Sequence, residues 1–190
     1  MDTVILSPDT DISGDWVLST GTDYYAVLIE DGPLLNHNAN ASQIGRHVRV
    51  TLDDFTPGFD SITSVQACIT GNNGGRSGTT DITVDIENAS NVNYYSDTHT
   101  VTVNGGSPGL YCSSAYTTSD GGSTAWTSTD LNGLRIYFQA DADATYGVYI
   151  YTAYVIVVYT VPPILTYTSD DNVILKNGLT ELKNGLTIIK

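Results

Sequence analysis

Short β-rich segments recur along this chain, and clusters of turn-forming residues separate them. Val, Ile, Thr and Tyr fill the segments, whereas Gly, Asn, Asp and Ser fill the interruptions, a division typical of strands and turns. The predicted strands are Val4–Leu6, Tyr24–Glu30, His47–Leu52, Ile62–Thr70, Asp81–Glu87, His99–Val103, Leu134–Gln139 and Val148–Thr160. This rhythm predicts an all-β fold, an antiparallel β-sandwich or jelly roll.

Two of these segments differ in their periodicity. Asp81–Glu87 alternates strictly between polar and apolar residues, which predicts one wet face and one core face. Val148–Thr160 has apolar or Tyr side chains at both parities, which favours a strand covered on both sides over one at an oligomer contact.

Pro162-Pro163 ends the last long strand, because proline cannot donate a hydrogen bond within a central ladder. The sequence after these prolines also has a different character. We therefore predict a sandwich domain over residues 1–163 and a C-terminal β tail over residues 164–190. Within the tail, Leu-Lys-Asn-Gly-Leu-Thr occurs at Leu175–Thr180 and again at Leu182–Thr187. Asn-Gly favours a type I′ hairpin turn, so the tail is predicted to be a short β-meander or a strand-exchange segment.

The predicted meander has one face without charge. It is formed by Val173, Leu175, Thr180, Leu182, Thr187 and Ile189. Three short strands are marginal in water by themselves, so this face is expected to bind a partner surface. The partner could be the chain's own body, a symmetry mate or a different protein.

The chain is strongly acidic, with a net charge of -14 and only seven Lys or Arg residues. Binding to nucleic acid or to an anionic membrane requires a basic surface, so neither is expected as a partner. The start of the sequence has no basic region followed by a long apolar stretch, which argues against a secretory signal and for assembly in a cytoplasm.

Candidate catalytic and metal-binding residues are few. His37, His47 and His99 lack metal-binding spacing, and none adjoins a nucleophile-elbow motif. The close acidic pairs are Asp53-Asp54, Asp141 with Asp143, and Glu30-Asp31. Acids in turns are mostly solvated, so we assign no catalytic, cofactor or metal residue and expect a protein that is not an enzyme.

Three smaller possibilities stay open. Loop acids such as Asp53 with Asp54, or Asp141 with Asp143, could bind Ca²⁺. Cys68 and Cys112 could form one disulfide or remain two buried thiols. Trp16 and Trp126 could stack on sugars, but a Trp beside a strand start more often closes the end of a sandwich core.

Three stretches, Asp11–Trp16, Thr22–Glu30 and Ala125–Leu134, precede a closing Tyr- and Val-rich strand. This arrangement resembles a jelly-roll domain found among structural proteins of tailed bacteriophages, which is similar in fold to lectins and carbohydrate-binding modules. The resemblance implies a capsid decoration (cement) protein, often trimeric, without catalytic residues. It would bind the major capsid protein or another virion protein and would be located in the virion, after assembly in the host cytoplasm.

Two other functions remain compatible with the same sequence. One is a carbohydrate-binding or receptor-binding module of a phage fibre, with a glycan as its ligand and exposed Tyr or Trp residues as its contacts. The other is a self-polymerising extracellular fibre subunit whose tail donates strands to the next copy, which would give open filaments.

Overall fold

The computed structural model describes residues 1–18, 23–29, 35–37, 45–72, 79–90, 92–102, 108–140 and 148–162. The predicted tail, residues 164–190, and its uncharged face lie outside the described residues. The boundary between the two predicted domains therefore stays a prediction.

The described elements are eleven strands and two short helices. They are β1 (Asp2–Leu6), β2 (Pro8–Gly14), β3 (Val17–Leu18), α1 (Tyr24–Leu28), β4 (Leu35–His37), β5 (His47–Leu52), β6 (Ser61–Asn72), β7 (Thr79–Glu87), β8 (Asn93–Thr102), β9 (Gly109–Cys112), α2 (Ser128–Asn132), β10 (Arg135–Ala140) and β11 (Val148–Thr160).

These strands form two antiparallel sheets, which confirms the predicted β-sandwich. The first sheet has the order β3-β4-β11-β6-β9, with β1 also paired to β11, and the second has the order β2-β5-β10-β7-β8. Most connections cross from one sheet to the other, as in a jelly roll.

The core lies between the two sheets and is filled by their inward-facing side chains. Along β5 and β10, every second residue is buried, for example Val48, Val50, Ile136 and Phe138. Trp16 and Trp126 are both only 3% exposed, and Trp16 packs its edge on Phe138 with 5.3 Å between ring centroids. Both Trp residues belong to the core, so neither is a sugar platform.

The predicted strand Tyr24–Glu30 is wrong over the part that the structure describes. Tyr24–Leu28 forms helix α1, whose Val27 and Leu28 are buried. The carboxylate of Asp11 on β2 accepts hydrogen bonds from the backbone N–H groups of Tyr24 and Tyr25, both at 2.7 Å. This distant acid satisfies donors of the first helical turn, a role that a local capping residue would ordinarily fill.

Strand β11 is covered less completely than expected. One set of its side chains is buried and the other is half-buried, with a register shift between Ile150 and Thr152. Among the described elements, its outward face has no layer over it. Four further strands, β2, β3, β4 and β9, were not predicted because they are short or rich in polar residues.

The two cysteines form a disulfide between β6 and β9. Cys68 and Cys112 are direct partners in the register of these strands, so the bond ties the edge strand β9 to the sheet. No helix among the described residues has the length and apolar character needed to cross a membrane.

Candidate functional site

The outward surface of the second sheet is the candidate site, and we call it the five-stranded face. Strand β10 is the middle strand, with β5 on one side and β7 on the other. Strand alternation places eleven described side chains on this face: Ser13, His47, Arg49, Thr51, Asp81, Thr83, Asp85, Glu87, Arg135, Tyr137 and Gln139.

An ion pair crosses the middle of the five-stranded face. Arg49 on β5 donates from Nε to one oxygen of Glu87 on β7 at 2.5 Å, and from Nη2 to the other oxygen at 2.8 Å. The Glu87 side chain is 3% exposed and that of Arg49 is 18% exposed. The hydrogen bonds with Glu87 favour the charged guanidinium, so the pKa of Arg49 is raised above its ordinary value.

Tyr137 lies beneath this ion pair at the centre of β10. It is paired in register with Arg49 on one side and Asp85 on the other. The guanidinium carbon of Arg49 lies 4.8 Å from the centroid of its ring, a cation–π contact. The Tyr137 hydroxyl donates a hydrogen bond to Oε1 of Gln139 on the same strand.

His47 lies beside the same ring at the start of β5. Its imidazole stacks on Tyr137 with 5.3 Å between centroids and 26° between planes. The hydroxyl of Ser13 on β2 is 3.0 Å from Nε2 of His47, and the Asp15 carboxylate accepts the backbone N–H of His47 at 2.7 Å. These contacts fix where the His47 ring lies relative to Tyr137.

The polar face of Asp81–Glu87 is less wet than its alternation predicts. As whole residues, Asp85 and Glu87 are 4% and 2% exposed, although both point away from the apolar core. Arg49 binds and neutralises Glu87, and Asp85 is paired in register with Tyr137. Charged groups are expensive to bury and are retained where they are paired, so this part of the face is a rigid polar layer and not a solvated strand surface.

The arrangement combines fixed polar groups with two aromatic rings. Arg49, Gln139 and Thr83 supply donors and acceptors whose positions are set by strand pairing, and Tyr137 and His47 supply flat apolar surface between them. Within the part of the chain that the structure describes, no three His, Cys, Asp or Glu side chains gather in a way that could hold a metal ion. The described side chains of the five-stranded face offer hydrogen bonding and ring stacking.

Few of the sequence-predicted residues are both described and on the five-stranded face. Asp53 and Asp54 are exposed after β5, where the Asp53 carboxylate accepts the backbone N–H of Ser7 at 3.3 Å. Glu30-Asp31, Asp141 and Asp143 lie outside the described residues, as do the side chains of His37 and His99. Of the predicted candidates whose side chains the structure describes, only His47 belongs to the face.

Sequence reasoning missed Arg49, Glu87, Tyr137 and Gln139. A signal was present, because each alternates with buried apolar residues on a strand and is polar or aromatic on the outward parity. The order β5-β10-β7, which brings these residues together, was not readable from the sequence.

No protein-family model matches the chain, and no curated protein sequence matches it. Among solved structures, the chain is similar to the C-terminal family 22 carbohydrate binding module of Clostridium thermocellum Xyn10B (TM-score 0.44, 18% identity, 81% of this chain and 87% of that one). It is also similar to the xylan-binding module CBM15 (TM-score 0.44, 8% identity, 85% and 100%). A third similar structure is the enzymatically active domain of Bacteriophage CBA120 tailspike protein 4 (TM-score 0.34, 11% identity, 82% and 19%). Likenesses of this degree do not identify a ligand, so the function rests on the site's own residues.

Proposed function

We propose that this chain is a carbohydrate-binding module whose five-stranded face binds a glycan and does not cleave it. The observation that carries the proposal is the fixed group formed by Arg49 on β5, Glu87 on β7 and Tyr137 on the middle strand β10 between them. This was the alternative, not the main, function that the sequence suggested.

A glycan suits the chemistry of this group. A sugar ring offers closely spaced hydroxyls, which donate and accept, together with apolar C–H surface. Arg49 is held by both oxygens of Glu87, so its guanidinium needs little further ordering when a ligand binds. The neighbouring rings of Tyr137 and His47 give apolar contact at low entropic cost.

The carboxylates on the five-stranded face support binding without hydrolysis. Glycoside hydrolysis needs two carboxyls that flank the scissile bond, whereas Asp85 and Glu87 are almost completely buried in the face. Both oxygens of Glu87 already accept hydrogen bonds from Arg49. We therefore propose that the chain is not an enzyme.

The test is binding of the full chain to a panel of soluble neutral and acidic polysaccharides, by affinity electrophoresis followed by calorimetry. Tyr137→Ala removes the central ring. Gln139→Ala removes the side chain that accepts the hydrogen bond of the Tyr137 hydroxyl. Each variant is expected to lower the association constant for the bound glycan at least tenfold, or about 1.4 kcal/mol. Glycan chain length should remain unchanged after prolonged incubation.

Tyr154→Ala is the matched control, because Tyr154 is a half-buried outward Tyr on β11 in the other sheet. It should leave binding unchanged. Equal losses from Tyr137→Ala and Tyr154→Ala, or no binding across the panel, would count against the proposal.

The capsid-decoration function stays a prediction. It was implied by the resemblance to jelly-roll domains of phage structural proteins, and its expected contact surface, the tail face over 173–189, lies outside the described residues. The location in a virion and the fibre-subunit alternative stay predictions on the same grounds.

A further inference from the structure

The outward surface of the first sheet has a different composition, and we call it the six-stranded face. Register and alternation place these described side chains on it, among others: Thr3, Ile5, Val17, Ser64, Gln66, Thr70, Leu110, Cys112, Tyr149, Thr152, Tyr154, Ile156 and Val158. Cys68 and Asn72 have the same parity but are only 0% and 2% exposed. None of these side chains carries a charge, although the chain as a whole carries -14.

Apolar side chains are exposed at both ends of the six-stranded face. Ile5 on β1 is 56% exposed and is the register partner of Ile156, while Leu110 on β9 is 61% exposed. Val158 continues the apolar row next to Ile156, between Thr3 and Ser64. Exposed apolar groups that lie next to one another on neighbouring strands, as Ile5 and Ile156 do, are typical of an interaction surface.

The absence of charge limits which partner fits this face. Two copies of so acidic a chain repel one another wherever their acidic surfaces meet. They can approach with least repulsion through a surface that bears no acid, and the six-stranded face is such a surface among the described residues. A basic partner protein would bind through acidic side chains. The described residues of this face include none, so a basic partner is disfavoured here.

We propose that the six-stranded face packs on the same face of a second copy, giving a two-fold dimer. In such an isologous contact both copies use the same surface. Ile5, Ile156 and Val158 are therefore removed from water on both copies. This inference is independent of glycan binding. It also differs from the trimer expected from the sequence, because a surface that packs on the same surface of a second copy closes at two copies.

The area is sufficient for a weak dimer. Strands β11 and β6, of 13 and 12 residues, form the middle of the face, and the shorter β1 and β9 extend it at opposite ends. With a rise of ~3.3 Å per residue and a strand spacing of ~4.8 Å, the face covers roughly 500 Å². A pair would bury about 1,000 Å² in total, the lower limit for a specific interface.

The experiment is sedimentation equilibrium of the full chain over a wide concentration range, at low and at physiological salt. The expected result is a monomer–dimer equilibrium that shifts towards dimer as salt increases, because ions screen the repulsion between acidic copies. Ile5→Glu places a new acid on each side of the interface and should weaken dimerisation at least tenfold.

Val92→Glu is the matched control, since Val92 is 57% exposed and lies in the turn between β7 and β8, away from this face. It adds the same charge and should leave the dimer unchanged. If Ile5→Glu alters the circular dichroism spectrum, Leu110→Glu tests the other end of the same face.

Three results would overturn the inference. They are a monomer at every concentration and salt, a trimer or larger closed species, and a dimer that Ile5→Glu and Leu110→Glu leave as strong as the wild type. The first result, combined with slow amide exchange on β1, would indicate that the chain's own residues after Pro162 cover the face.

Discussion

The two outer faces of this sandwich share one construction and differ in their chemistry. In each, the middle strand alternates outward-facing with buried side chains, although β11 has 13 residues and β10 only 6. The five-stranded face carries Arg49, Arg135 and three acids, whereas the described outward residues of the six-stranded face carry no charge. The same backbone geometry thus presents a hydrogen-bonding surface on one side and an apolar, hydroxyl-bearing surface on the other.

The difference also concerns what holds each face in place. On the six-stranded face, a covalent bond between Cys68 and Cys112 secures the edge strand. On the five-stranded face, the ion pair between Arg49 and Glu87 spans β10 and links β5 to β7. We expect these two links to contribute more to stability than any other outward contact, which can be tested in descending order of effect.

The largest effect is expected from removal of the disulfide. Replacing Cys68 and Cys112 with Ala, or reducing the bond, should lower the free energy of unfolding by about 4 kcal/mol, since the bond restricts a long loop in the unfolded chain. Urea unfolding with and without a reductant measures the change. The reductant should not change the free energy of unfolding of the double Ala variant. If it also left that of the wild type unchanged, the prediction would be contradicted.

The next effect is expected from the ion pair. Arg49→Met leaves the Glu87 carboxylate buried without its partner and should cost roughly 3 kcal/mol, near the lower end of the range for buried pairs because Arg49 is partly exposed. Replacing both residues, Arg49→Met with Glu87→Leu, should recover most of this loss. Urea unfolding of the two single variants and the double variant gives the coupling energy, and additive losses would show that the pair is not a stabilising unit.

The smallest effect is expected on the six-stranded face. Ile5→Thr keeps a β-branched side chain at an exposed strand position, so stability of the monomer should change by no more than about 0.5 kcal/mol. The measurement is thermal unfolding at a protein concentration at which the chain is monomeric. A loss several times larger would show that Ile5 supports the fold itself and would remove the contrast between the two faces.

The strands of this fold were largely predictable because period-two alternation is a local property. His47–Leu52 is found with the predicted bounds, and Asp81–Glu87 lies within β7. Tyr24–Leu28 was misassigned because the acid that favours its helical turn, Asp11, lies on a different element. When a residue distant in sequence caps a helix, the residues next to the helix carry no capping signal.

The candidate site was hardly predictable for a related reason. The contact between Arg49 and Glu87 requires β10 to lie between β5 and β7, although β10 comes last of the three in the sequence. The disulfide likewise depends on the register that pairs Cys68 with Cys112. Strand order and register are set by packing over the whole chain, so a residue-by-residue pattern names the members of a site without showing that they meet.

The position of Arg49 bears on how this protein can change over evolution. Arg49 contributes to the fold through Glu87 and to the proposed recognition surface through Tyr137. Substitutions at Arg49 or Glu87 would be penalised through stability before any new ligand preference could be selected. Related chains are therefore expected to diversify in specificity at neighbouring positions such as Thr83 and Gln139, around a pair that stays constant.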